Sequence, residues 1–355
     1  MRVRNSPWIV ACVLCAFLLA LGGCAGQLLD GDTVDAPESS EAPYEVEVRE
    51  ATEPLSPHLE TVEIVTPAEG NAPPLVLKVY PKVVQQGDLF AVHIGNVPGD
   101  SIPSVYAMGT EWPVFKTRWN EAVSFVGVSY YTEPRVHRIE VTAEPGSGGN
   151  TPVYRGTVHV GVGEFESQRL YVDSQLQSLR SPALWEADRV HFARARASSH
   201  PRPLWEGAFE IPLEGRLTSS FGLIRYINDV ESGRHSGLDI AAPEGTPVRA
   251  AASGVATLAM DLNVTGKTVV VDHGLNLFTC YYHLSHIAVE EGDEIRGGEW
   301  IGDVGSTGFS TGPHLHLTVS VGSVPVDPDL LFYGDPARLL PGSPKPAEDR
   351  ARLSQ

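Results

Sequence analysis

The sequence predicts a mainly β protein with two folded domains joined by a short helical linker. At 355 residues, the chain is longer than one ordinary domain core needs. Its 35 glycines and 28 prolines, against 8% aromatic residues, indicate many turns and short strands. Short apolar or alternating runs recur along most of the chain, whereas a helical period is confined to one stretch near its middle.

Charge and cysteine content exclude several kinds of protein. The formal net charge is -18, so we expect no nucleic-acid partner, because phosphate binding needs clustered Lys and Arg. Cys12, Cys15 and Cys24 lie near the N-terminus, which leaves Cys280 alone in the folded body. Neither a disulfide framework nor a cysteine zinc finger can be built there, and Cys280 is predicted to be a buried small hydrophobe.

The first 23 residues have the organisation of a signal peptide. Arg2 and Arg4 precede an apolar run over 8–21, which is short for a membrane span. The run ends in Leu-Gly-Gly-Cys at 21–24, which resembles the lipobox of bacterial lipoproteins. This resemblance implies that Cys24 is lipidated and anchors an extracytoplasmic protein to a membrane. A plain signal peptide with an incidental cysteine is the alternative.

An acidic tether, a β-sandwich and a helical linker are predicted to follow. Residues 24–72 are rich in Asp, Glu, Pro and Ser and indicate disorder, although 62–65 could pair as an edge strand. Over 73–165, short β-rich runs separated by turns favour an immunoglobulin-like sandwich, acting as a spacer rather than a wall-binding module. Apolar residues at helical spacing predict about two short helices within 166–206.

The second domain, predicted over 207–335, is read as an antiparallel β core with long loops, before a disordered tail over 336–355. It contains three polar motifs: His-Ser-Gly-Leu-Asp at 235–239, Tyr-Tyr-His-Leu at 281–284 and Thr-Gly-Pro-His-Leu-His at 311–316. Each motif alone is a weak signal. All three in one β domain indicate a metal site.

Strand geometry explains why these spacings suit a metal. In an extended chain, residues two or four apart face the same side, as do His314 with His316 and His235 with Asp239. Gly237 gives the backbone between the latter pair freedom to wrap. A catalytic zinc keeps about three protein ligands, so four histidines and one aspartate exceed its needs. The surplus imidazoles can act as bases or stabilise a transition state.

Residues 215–328 resemble the lysostaphin/LytM-type zinc metalloendopeptidases of peptidoglycan. Beyond the candidate ligands, the resemblance rests on Thr218–Gly222, His235–Pro243, Gly245–Val248, Val271–Gly274, Gly305–Gly308 and Thr311–His316. It implies one zinc ion bound by His235, Asp239 and His316, with His283 and His314 beside the zinc-bound water as catalytic residues. Arg225 and Tyr226 are candidate substrate contacts in the groove.

The resemblance leaves two other functions open. Some relatives have lost ligands and activate cell-wall amidases, and a peptidase could also act on proteins rather than on peptidoglycan. Because all five motif positions are retained, we expect an active enzyme. His273 and His286 are predicted to be structural or surface residues rather than ligands.

Overall fold

The chain is mainly β, as the sequence predicts. The computed structural model describes residues 61–65, 74–99, 101–118, 120–143, 151–334 and 336–341. The predicted signal peptide, Cys24 and most of the predicted tether lie outside these ranges. Within them, no helix combines the length and apolar character needed to cross a membrane.

The first domain is a β-sandwich of two five-stranded sheets. Its strands are β1 (Thr61–Val65), β2 (Leu75–Tyr80), β3 (Val83–Gln85), β4 (Leu89–Gly95), β5 (Ser104–Ala107), β6 (Thr110–Trp112), β7 (Phe115–Arg118), β8 (Glu121–Gly127), β9 (Val136–Thr142) and β10 (Val153–Gly161). The sheet orders are β1-β2-β4-β8-β7 and β3-β10-β9-β5-β6. Large side chains of both sheets, such as Phe90 and Tyr154, are fully buried, and burial on one face of β9 and β10 accounts for the alternating pattern of these strands.

Two segments predicted to be disordered carry regular structure. Strand β1 lies inside the predicted tether and pairs antiparallel with β2, so the edge-strand alternative is confirmed. Pairing satisfies the backbone groups that β2 would otherwise leave open. In the predicted tail, Pro336–Leu339 form a 3₁₀ turn. Leu339 is buried, and its carbonyl oxygen lies 2.6 Å from His93 Nε2 in the sandwich.

The linker begins with a strand that was not predicted and continues with the two predicted helices. These elements are β11 (Ser167–Leu170), α1 (Ser174–Ser178) and α2 (Pro182–Ala195). Asp173 and Ser181 cap the two helices by accepting from backbone N–H groups. Asp188 of α2 is fully buried and accepts from the backbone of Asn263 and Val264, at 3.0 and 2.7 Å. The linker therefore docks tightly onto the second domain.

The second domain is built on one large twisted sheet. Its elements are β12 (Arg216–Ser219), β13 (Ile224–Ile227), β14 (Val230–Arg234), β15 (Leu238–Ala241), β16 (Pro247–Arg249), β17 (Gly254–Leu262), β18 (Gly266–Asp272), β19 (Leu277–Leu284), β20 (His286–Ile287), β21 (Glu294–Ile295), β22 (Trp300–Asp303), β23 (His314–Val321), β24 (Val324–Val326) and α3 (Asp329–Phe332). The large sheet runs β12-β15-β23-β19-β18-β17-β21, with β24 beside β23. Two small sheets, β11-β13-β14 and β16-β22-β20, complete the domain.

The central strands of the large sheet are buried on both faces. Every residue of β19 is buried, as are nearly all residues of β18 and β23. Burial on both faces explains why β19 carries large apolar side chains at successive positions, such as Leu277 and Phe278. Phe192 and Ala195 of α2 pack against one face, where Phe278 and Cys280 lie. Cys280 is fully buried, as predicted.

Candidate metal centre and active site

Two neighbouring strands bring the predicted metal-binding residues together. Strands β15 and β23 pair antiparallel with Asp239 directly opposite His316, which places their Cβ atoms about 5 Å apart. His235 lies on the bend that leads into β15. A Cβ atom on Gly237 would lie 2.0 Å from the carbonyl oxygen of Leu317. Close approach to β23, rather than the conformational freedom expected from the sequence, is what requires glycine at this bend.

Three potential ligand atoms converge in the interior. Asp239 Oδ1 lies 2.9 Å from His235 Nε2 and 2.8 Å from His316 Nδ1. The two ring nitrogens are themselves 2.9 Å apart, and all three residues are buried. Two imidazoles and one carboxylate form a donor set that zinc prefers. The three residues are grouped closely enough to hold one metal ion.

The second nitrogen of each imidazole has a partner of its own. His235 donates from Nδ1 to the carbonyl oxygen of Ser220 at 2.8 Å, and a carbonyl can only accept. The neutral His235 ring therefore carries a lone pair at Nε2. His316 Nε2 lies 2.9 Å from the hydroxyl of Thr318, which can accept its proton and leave Nδ1 as a lone pair. Such outer partners typically orient metal-binding histidines.

Asp239 also divides its two oxygens between separate tasks. Oδ1 faces the imidazoles, while Oδ2 accepts from Arg225 Nη2 at 3.1 Å. In the neutral-imidazole state, the lone pairs of His235, His316 and Asp239 thus point at one another across less than 3 Å. Facing lone pairs repel unless a cation lies between them. The arrangement fits a bound metal ion.

His283 and His314 lie beside this group, with their ring centroids 4.9 Å apart. Each donates from Nδ1 to a backbone carbonyl oxygen at 2.8 Å, Thr307 for His283 and Gly312 for His314. Nε2 is then an acceptor in both neutral rings, and that of His314 lies 3.7 Å from Asp239 Oδ1. His283 has a φ of 62°, a conformation rare outside glycine that is often found at functional sites.

Burial and charge set the protonation states at the site. Burial lowers the pKa of His316 to about 4, and burial with the neighbouring imidazoles lowers the pKa of His283 to about 3. Burial alone would raise the pKa of Asp239, but contacts with His235 and His316 outweigh it and hold that pKa well below its usual value. At neutral pH, His283 and His316 are therefore neutral and Asp239 is a carboxylate, the forms of these side chains that bind metals.

A cavity of about 300 Å³ opens over the site. Asp239, His283, His314 and His316 line it, as do Arg225, Gln168 and the loop over 309–313. The structure therefore places Arg225 at the cavity. It does not place Tyr226 there, because adjacent residues of β13 face opposite sides. The Tyr226 ring instead lies under the Arg169 guanidinium, whose Cζ is 4.7 Å from the ring centroid.

The two remaining histidines of the domain have other surroundings. His273 is fully buried, and its ring nitrogens lie 2.8 Å from the Ser253 carbonyl oxygen and 2.7 Å from the Thr279 hydroxyl. It is a satisfied core residue. His286 is exposed, with its ring 5.7 Å from that of Trp300. Neither belongs to the grouped ligand atoms.

Several supporting residues were missed from the sequence. Thr318 follows His316 at a spacing of two, so the strand period could have revealed it. The carbonyl partners Ser220, Thr307 and Gly312 carry no side-chain signal. Gln168 lines the cavity from a segment predicted to be helical, and nothing in its local sequence indicates a role.

Comparison with known proteins agrees with this geometry. Residues 233–328, which span all five candidate residues, match the profile of peptidase family M23. Residues 233–328 therefore form a peptidase family M23 domain. The resemblance to lysostaphin/LytM-type peptidases is thereby confirmed. A solved structure of a Pseudomonas aeruginosa protein assigned to M23 is 27% identical, covers 72% of this chain and 96% of its own, and superposes with a TM-score of 0.51.

Two curated relatives match this chain over segments of 93 and 94 residues. The DD-carboxypeptidase/endopeptidase Mpg of Neisseria meningitidis is 50% identical over 94 residues, or 26% of this chain and 22% of Mpg. The peptidoglycan DD-endopeptidase ShyA of Vibrio cholerae is 42% identical over 93 residues, again 26% and 22% of the two chains. The match thus spans about a fifth of each relative's length.

Proposed function

We propose that this chain is a zinc-dependent endopeptidase that hydrolyses peptide bonds in the stem peptides or cross-bridges of peptidoglycan. The observation that carries the proposal is the convergence of His235 Nε2, Asp239 Oδ1 and His316 Nδ1 within 3 Å of one another. These atoms would hold the ion. A bound zinc ion would supply Lewis-acid activation of a water molecule and of the scissile carbonyl.

His283 and His314 have the chemistry to move the proton. Their Nδ1 protons are committed to the Thr307 and Gly312 carbonyl oxygens, so Nε2 of each ring is free to accept. Either Nε2 can take a proton from the attacking water and return it to the leaving amine. While a ring holds that proton, before it passes to the amine, its Nε2–H can donate to the developing oxyanion, a contact usually worth about 3–4 kcal/mol.

Arg225 is positioned to contact substrate as well as Asp239. It uses Nε for Gln168 and Nη2 for Asp239. Within the described part of the chain, its Nη1 has no hydrogen-bond partner. Because Arg225 lines the cavity, this N–H edge is available to a substrate carbonyl or carboxylate oxygen.

Peptidoglycan is the substrate that the comparisons support. Mpg and ShyA are named for DD-endopeptidase activity, and the family M23 match over 233–328 includes His235, Asp239, His283, His314 and His316. Such a substrate requires an extracytoplasmic location. Lipidation of Cys24 would hold the enzyme on a membrane beside that substrate, with the acidic segment as a tether.

Digestion of purified sacculi, followed by mass spectrometry of the released muropeptides, tests the proposal. We expect the wild-type protein to cleave a peptide bond and His235→Ala to cleave none, while His286→Ala, on the exposed side of the domain, matches the wild type. Cleavage of casein without cleavage of sacculi would indicate a general protein peptidase. Absence of zinc and of cleavage, with stimulation of an amidase, would indicate a regulator.

A further inference from the structure

The linker contributes a residue to the hydrogen bonds around the candidate metal centre. Strand β11 pairs parallel with β13, and Gln168 is in register with Arg225. Residues in register on neighbouring strands project to the same side. Gln168 thereby reaches the cavity from a segment outside the matched region, residues 233–328.

Both ends of the Gln168 amide are engaged. Its Nε2 donates to Ser219 Oγ at 2.8 Å, and its Oε1 accepts from Arg225 Nε at 3.1 Å. Arg225 Nη2 then donates to Asp239 Oδ2 at 3.1 Å. Because Nε and Nη2 lie on one edge of a planar guanidinium, holding Nε also sets the direction of the Nη2 bond.

This hydrogen-bond path has a direct consequence for the carboxylate. With Oδ2 held by Arg225, Asp239 presents Oδ1 alone to His235 and His316. The Arg225 and Asp239 side chains are only 18% and 11% exposed, so water screens their interaction weakly. If the Arg225 guanidinium were free to change its orientation, the Asp239 carboxylate could rotate and turn Oδ1 away from the imidazoles.

We propose that Gln168 is a positioning residue, which acts through Arg225 to hold Asp239 with one oxygen toward the metal. This inference rests on the proposed function. Gln168 touches neither the reacting atoms nor the metal. Outer partners of this kind typically change metal affinity or activity by about 10–100-fold when removed.

Full-length Gln168→Leu and Gln168→Glu variants test the inference. The Glu variant keeps an acceptor for Arg225 Nε, whereas the Leu variant keeps the size but no acceptor. We expect Gln168→Leu to weaken Zn²⁺ affinity, measured by chelator competition, by about tenfold or more and to lower kcat with little change in KM. The Zn²⁺ affinity and kcat of Gln168→Glu should stay within about threefold of the wild-type values. The same should hold for Gln175→Ala, a control on the exposed part of α1.

A double-mutant comparison provides the second readout. If Gln168 acts through Arg225, adding Gln168→Leu to Arg225→Ala should change Zn²⁺ affinity by less than about twofold. If instead the losses of Zn²⁺ affinity caused by the two single substitutions multiplied in the double mutant, the inference would be overturned. So would equal defects in the Leu and Glu variants, or Zn²⁺ affinity of Gln168→Leu equal to that of Gln175→Ala. Because affinity is measured without substrate, failure to cleave sacculi would reject the proposed substrate and leave this test intact.

Discussion

Two carboxylates in the second domain, the buried Asp239 and the half-buried Asp327, have opposite surroundings. Burial tends to raise the pKa of both. At Asp239, contacts with the His235 and His316 imidazoles reverse the effect and hold the pKa well below its usual value. At Asp327, burial and the charges of Asp329 and Asp88 together raise the pKa from 3.8 to about 7. The partner, not the burial, decides which charge state a buried carboxylate keeps.

The locations of the two carboxylates match this difference. Asp239 lies on the cavity, where a retained negative charge can bind a cation. Asp327 lies where the domains meet, and its backbone N–H donates to the Gly87 carbonyl oxygen at 2.8 Å. Next to Gly87, Asp88 also has a raised pKa, of about 6 because of burial. The surroundings of Asp239 favour its ionised carboxylate, whereas ionisation of Asp327 lowers the stability of the fold.

The largest difference between the two carboxylates should appear on charge removal. Asp239→Asn should lower kcat/KM on sacculi by about 1,000-fold or more, since the only anionic ligand is lost and the effect should exceed that of one oxyanion donor. Asp327→Asn is the matched control and should retain wild-type kcat/KM. Comparable activity in the two variants would show that Asp239 does not have the role proposed for it.

Removal of the arginine partner should have an intermediate effect. Arg225→Ala leaves Asp239 Oδ2 unpaired in a largely buried position and should lower kcat/KM by about 10–100-fold. Arg225→Lys should recover little of this, because one ammonium cannot reproduce the planar donor pair. Full activity of Arg225→Lys would mean that charge alone suffices.

Removal of the Asp327 charge should change stability with pH. A carboxyl whose pKa is higher in the folded chain stabilises folding below its unfolded pKa, and that contribution is lost as pH rises from about 4 to about 7. The free energy of unfolding of Asp327→Asn should therefore exceed that of the wild type by about 1–2 kcal/mol at pH 8. At pH 4 the two free energies should differ little. Urea unfolding at both pH values measures this, with exposed Asp261→Asn as control. A stabilisation independent of pH would refute the carboxylate explanation.

The smallest effect is expected at Tyr226. Its ring supports the half-exposed Arg169 rather than the cavity, and such contacts are worth about 0.5–1 kcal/mol. Tyr226→Ala should lower the melting temperature slightly and leave kcat/KM within about twofold of the wild type. A tenfold rise in KM would instead support the sequence-based prediction that Tyr226 contacts the substrate.

Features with a local signal could be predicted from the sequence. The β-prone runs at 267–272 and 277–283 correspond to central strands, and burial on both faces explains their consecutive apolar residues at 269–271 and 277–278. The repeated histidine in β23 indicated one polar face, since strand residues alternate. The helices of the linker followed from their apolar spacing. Specific motifs at 235–239 and 311–316 carried the family resemblance.

Features that depend on distant pairing could not be predicted. The register that sets Asp239 against His316 follows from the order of strands in the sheet, which no local pattern encodes. The four residues of β11, Ser-Gln-Arg-Leu, contain one apolar side chain and form a strand because β13 lies beside them. The pairing of β1 and the docking of Leu339 likewise depend on contacts with remote segments.

The central claim is that two imidazoles and one carboxylate share a metal ion. An anomalous-difference map, collected at the zinc absorption edge from crystals of the zinc-loaded protein, tests it most directly. We expect a single peak about 2.0–2.2 Å from His235 Nε2, Asp239 Oδ1 and His316 Nδ1. A map with no peak at this position, or with its only peak on other residues, would contradict the account.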